Sequence, residues 1–191
     1  MLIALLFLLA QAPREVAPAA HTQRLFVKAA HLIDGRSDQP RTGLGVLVEN
    51  GRIVEVRADA PAGVKTLDLG NAWLLPGLID AHTHVLLQGD VTAAEYDEQL
   101  LKESIPYRAL RASAAARIAV MNGFTTIRDL ETEGAMYADV DVKTAIARGV
   151  IVGPRMFVAT RAMAPTGLYP LLGYSWELQV PEGVQIVDGP E

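Results

Sequence analysis

The chain has 191 residues, of which half are apolar and a fifth charged, so it is long enough for a hydrophobic core and reads as globular. A net charge of -5, with acids and bases interspersed and no basic stripe, argues against a nucleic-acid partner. The absence of cysteine excludes disulfides, thiolate metal sites and cysteine nucleophiles, which leaves His, Asp and Glu to hold any transition metal.

The N-terminus opens with an unbroken apolar run over residues 2–10. It is short of the roughly 20 residues that span a bilayer, and it matches the apolar region of a secretory signal peptide. Small residues at Ala17 and Ala19 predict cleavage after Ala19 or Ala20, so residues 1–20 are assigned to a signal peptide and the protein to an exported, periplasmic or secreted location. No Lys or Arg precedes the run, which departs from the usual pattern. No later segment is apolar enough to cross a membrane.

Residues 24–75 read as β structure forming a small sheet. RLFVKAAHLIDG predicts a strand ending at Asp-Gly. GVLVENGRIVEV predicts a hairpin, because two alternating apolar runs flank Asn50-Gly51. VKTLDLG and NAWLLPG add two short strands, and Pro76-Gly77 marks the exit.

Residues 76–191 follow a different grammar. GLIDAHTHV is a strand, and a polar loop is expected from there to about residue 105. YRALRASAAARIAVMNG is a helix with Leu110, Ala114, Ile118 and Met121 on one face and Gly123 as its stop. FTTIRDL is a second strand, residues 139–148 a second helix, and PRMFVAT a third strand. Strands alternating with helices predict parallel βαβ units and an α/β fold. The remainder is loop-like, and its final Asp-Gly-Pro-Glu is a helix-start signal.

Two of the four histidines stand at His82 and His84. Side chains alternate across a strand, so they share a face, with Asp80 one step earlier on it and Thr83 pointing away. Two imidazoles presented this way are candidate ligands of one metal ion. Asp80 either orients a ligand histidine from behind or caps a neighbouring backbone group. At the end of the second strand Arg128 and Asp129 point to opposite faces. Arg128 is a candidate substrate contact, as are the loop aromatics Tyr169, Tyr174 and Trp176. His21 and His31 carry no functional signal.

PGLIDAHTHV, placed after a β region with an ENGRIVEV hairpin and followed by GFTTIRDL and GPRMFVATRAMAPTG, resembles the amidohydrolase superfamily, in its prolidase-like and imidazolonepropionase-like branches. The resemblance covers residues 24–191. It implies a (β/α)8 barrel flanked by a β-sandwich, with one or two divalent metals, zinc being the expected ion. His82 and His84 are then metal ligands. The family's remaining ligands, a carboxylated Lys and two later His, and its catalytic Asp belong to strands beyond residue 191. A complete barrel takes about 250 residues, so the resemblance implies an incomplete (β/α)8 TIM barrel of about three strands.

The implied activity is hydrolysis of C–N amide bonds in small peptide-like or N-acyl amino acid substrates, Xaa-Pro among them, by metal-activated hydroxide. A homo-oligomer of the full-length enzyme fits the same resemblance. Two alternatives stand beside it: a cyclic-amide hydrolase of imidazolonepropionase type, and a non-catalytic secreted binding module with a vestigial barrel start. Relatives often read Thr-Gly-Gly-His at the exit of the third strand. Here Thr166-Gly167-Leu168-Tyr169 stands instead, which puts the substrate in doubt and offers Tyr169 in place of the histidine.

Overall fold

The computed structural model describes residues 23–89, 93–168, 171 and 173–190. The expected signal peptide and Tyr169 lie outside the described residues. The chain forms two compact units, one ending at Pro76 and one beginning at Gly77.

The first unit is all β. Its larger sheet contains β1 (Arg24–Lys28), β4 (Gly45–Glu49), β5 (Arg52–Arg57) and β6 (Lys65–Asp68), in the order β5-β4-β1-β6. A smaller sheet joins β2 (His31–Leu32), β3 (Arg41–Thr42) and β7 (Trp73–Leu74), in the order β3-β2-β7. The predicted hairpin is the β4–β5 pair, and its turn residues Asn50 and Gly51 have φ of 49° and 76°. Both central residues therefore take the left-handed conformation that Asn-Gly tolerates and the strand twist requires. The expected first strand is two: the chain breaks pairing after Lys28 and resumes at His31 on the other sheet. Phe26, Leu32, Val46 and Leu47 are buried, and an apolar hollow is lined by Leu32, Val46, Ile53, Val56, Leu74 and Pro76.

The second unit is mixed α/β. Three parallel strands, β8 (Leu78–Thr83), β9 (Phe124–Asp129) and β10 (Arg155–Val158), lie in the order β10-β9-β8. Between β8 and β9 come α1 (Ala93–Lys102) and α2 (Ile105–Met121), and between β9 and β10 comes α3 (Ala138–Ala147). Parallel neighbours need such crossovers. The core joins Val85, Leu86, Ala112, Ile127, Ala135, Ala138, Val142 and Met156.

Three expectations are corrected here. The loop expected up to residue 105 contains α1, AAEYDEQLLK, whose apolar residues gather on one side but are interspersed with acids and amides and form no continuous apolar run. On α2 the apolar stripe read from the sequence is not the packed one: Leu110, Ile118 and Met121 are exposed, while Arg108, Ala112 and Ala116 are buried. The C-terminal stretch is not wholly irregular, since β11 (Met163–Ala164) pairs in parallel with β12 (Gln185–Ile186). The predicted helix stop is observed, with Gly123 at φ 90° directly after the Asn122 cap. Asp188 accepts hydrogen bonds from the Thr166 amide at 2.8 Å and hydroxyl at 2.7 Å.

Candidate metal centre

Strand β8 delivers His82 and His84 to its C-terminal end, where parallel α/β folds gather functional groups. The alternation of the strand turns both imidazoles the same way. Their Nε2 atoms stand 3.2 Å apart, with the rings at 66° to each other. Two nitrogens bound to one zinc at about 2.0–2.1 Å in tetrahedral geometry are roughly 3.4 Å apart. The observed spacing therefore fits two ligands of one ion.

His84 is held from its other side. Its Nδ1 lies 3.3 Å from the backbone carbonyl of Glu131 and 3.6 Å from Oε1 of Glu133. A carbonyl only accepts, so this contact requires a proton on Nδ1 and leaves Nε2 its lone pair, the form a metal ligand needs. Asp80 Oδ1 accepts from the His82 amide at 3.0 Å. Thr83 turns away and donates its hydroxyl to the carbonyl of Arg128. Arg128 itself is exposed, while Asp129 beside it is fully buried and accepts from the Val85 amide at 2.7 Å. That bond ties the loop after β8 to the end of β9. Tyr174 donates to Asp97 on α1, and Trp176 is 90% exposed, so neither reaches the histidines through a described contact.

Glu131 and Glu133 were not singled out from the sequence. They follow β9 directly, and with His84 they offer ligand atoms all within 4.8 Å of one another. The available signal was two acids, in DLETEG, at the C-terminal end of a β-branched strand. Glu133 has φ of 49°, a left-handed conformation that costs a β-carbon-bearing residue energy and clusters at functional sites. Glycine would relieve the strain but would remove the carboxylate that faces His84.

The carboxyl groups beside His84 are buried. Burial pushes the Asp129 carboxyl up to about 7; the Val85 amide partly offsets this, and Asp139 and Glu133 add to it. Burial, then Glu133, pushes Glu131 up to about 7. Asp129 Oδ2, Glu131 Oε1 and Glu133 Oε2 are buried and accept no hydrogen bond among the described residues. Buried carboxylate oxygens of this kind call for a cation. The donor set of imidazole and carboxylate suits a divalent transition metal.

The family model for the amidohydrolase family matches residues 73–190. The chain belongs to that family. It is 32% identical over 107 residues to a dihydroorotase of Anaeromyxobacter dehalogenans (strain 2CP-C), covering 54% of this chain and 20% of that protein. To an imidazolonepropionase of Ralstonia nicotianae it is 32% identical over 126 residues, covering 48% of this chain and 30% of that protein. Among solved structures it resembles one described as an amidohydrolase, with a TM-score of 0.67 and 26% identity over 87% of this chain and 41% of that one. A Xaa-Pro dipeptidase with bound methionine in its active site gives a TM-score of 0.69 at 24% identity, over 81% of this chain and 38% of that one. The chain thus spans a fifth to a third of these curated relatives and about two fifths of the solved structures.

Proposed function

We propose that these residues are the metal-binding N-terminal portion of an exported, metal-dependent amidohydrolase that cleaves C–N amide bonds of small peptide-like or N-acyl amino acid substrates. In this reading residues 1–20 are a signal peptide, residues 24–75 part of a flanking β-sandwich, and residues 76–191 the first strands of a (β/α)8 barrel. The observation that carries it is the His82–His84 pair, with both Nε2 atoms on one side of a parallel strand and buried acids behind them.

His82 and His84 would hold the ion. When bound, a divalent metal, with zinc the expected one, activates water and polarises an amide carbonyl. The chain's own residues prepare the ligands: the Glu131 carbonyl and the Glu133 carboxylate fix the orientation and tautomer of His84, and Asp80 fixes the backbone at His82. Support for a peptide-like substrate comes from the Xaa-Pro dipeptidase fold likeness. A second reading, a cyclic-amide hydrolase of imidazolonepropionase type, is favoured by the 32% identical relative of that name.

One experiment addresses these points together. The full-length protein is recovered from the exporting host, and its intact mass, metal content and turnover of dipeptide and cyclic-amide panels are measured. The expected result is a chain beginning after Ala19 or Ala20, with about one or more equivalents of divalent metal. His82→Ala and His84→Ala should each lose metal and all turnover. Undiminished metal content in both variants would sink the proposal.

A further inference from the structure

From the geometry we infer that Arg108 is a positioning residue for the metal centre: one guanidinium that locks together the two loops carrying His84 and Glu133. The inference rests on the metal-binding reading above.

Arg108 stands in the first turn of α2 and is 2% exposed. Both facts work against it. The positive end of a helix macrodipole disfavours a cation there, and burying a guanidinium is costly unless its donors are met. A buried apolar residue would serve the helix better. What Arg108 gains are three backbone carbonyls. Its Nε donates to Leu86 at 2.9 Å, and its Nη2 donates to Thr132 at 3.2 Å and to Glu133 at 2.7 Å.

Those carbonyls belong to different loops. Leu86 lies two residues beyond His84, in the loop after β8. Thr132 and Glu133 lie in the loop after β9. Among the described residues, Arg108 is the side chain that bonds three carbonyls across the two segments. The bond to Glu133 falls on the residue with φ of 49°, whose side chain faces His84 Nδ1. Arg108 therefore holds the strained backbone that presents the carboxylate, and the same planar group fixes the chain just past the ligand histidine. A lysine supplies a point charge on a flexible stem and cannot reproduce a fork that spans both loops.

The test uses the full-length protein, with Arg108→Lys, Arg108→Met and, on the same helix, exposed Arg117→Met as a control. Cobalt(II) is the probe. Its visible absorption reports coordination geometry, and chelator competition gives its affinity. Amide hydrogen exchange is followed at residues 84–88 and 130–136. Arg108→Met should weaken cobalt binding by about 10-fold or more, the size expected when a partner behind a ligand is lost, and should change the spectrum. Arg108→Lys should fall between, Arg117→Met should match wild type, and exchange should rise in both loops while α2 stays protected.

Wild-type affinity and spectrum in Arg108→Met would overturn the inference and leave the metal reading standing. If Arg108→Met does not fold, Arg108→Lys decides: unchanged loop exchange and cobalt spectrum would overturn it. If wild type shows no cobalt absorption dependent on His82 and His84, the metal reading itself falls and the positioning role falls with it.

Discussion

Asp129 shows how much chemistry one buried carboxyl imposes. In the folded chain Asp129 and Glu131 both titrate near 7, because burial disfavours their charged forms. In the unfolded chain they titrate near 4. Between those values the folded state holds protons that the unfolded state has released, so stability from these groups is full below about pH 4 and falls as pH rises toward 7. Asp34 and Asp188 act the other way, held below the usual carboxylate range chiefly by backbone amides, but their window lies at lower pH. With metal removed by chelator, Asp129→Asn should shrink the decline in Tm from pH 5 to pH 8 by about 3 °C or more, the shift that roughly 1 kcal/mol makes in a chain this long. An unaltered decline would mean that Asp129 is ionised throughout. The two histidines of this centre were legible because strand alternation is a strict rule. Glu131 and Glu133 were not, because their approach to His84 depends on a left-handed turn at Glu133 and on the pairing of β8 with β9, neither of which residue spacing reveals.

At the scale of elements, α2 is the informative one. Pattern reading puts large apolar residues inward, yet α2 packs through Ala112 and Ala116, both with no exposed surface. Small residues let a helix backbone approach its neighbours closely. A β-carbon placed on Gly153 would stand only 3.1 Å from the Ala116 side chain and closer still to Ile146, which shows how tight the contact is. Ala112→Leu should therefore destabilise the chain by about 1–3 kcal/mol through overpacking, while Leu110→Gln, at a position 73% exposed, should change stability by less than about 0.5 kcal/mol. Urea denaturation of the two variants checks this, and equal effects would contradict the observed facing of α2. The hairpin at Asn50-Gly51 and the order of strands and helices were legible, since turn chemistry and alternating periods are local. The facing of α2 was not, because Leu110, Ile118 and Met121 form a helical stripe as good as the one that is buried. Helix α1 was hidden for a different reason: its length and amphipathic face are spread over a mostly polar stretch.

At the scale of the whole molecule, the parallel sheet of the second unit poses a physical problem. Strands β8 and β10 each pair on one side only among the described residues. Both carry large exposed apolar side chains, Ile79 at 71% and Phe157 at 54%. Unpaired, apolar parallel edges are templates for association. The family relatives are several times longer than the matched region, so in them comparable residues have further chain available to cover them. A polypeptide of residues 23–191 made alone should therefore self-associate, with sedimentation showing species larger than the monomer, and Ile79→Lys, which places a charge on the β8 edge, should shift the distribution toward monomer. A wild-type polypeptide that stays monomeric and melts cooperatively would show that three strands with their crossover helices satisfy their own edges. The rival reading, a self-sufficient binding module that keeps the His82–His84 pair without a hydrolytic centre, would then have the stronger physical case. Association relieved by a single edge charge would instead locate the instability in the open sheet, as expected if further strands normally complete it.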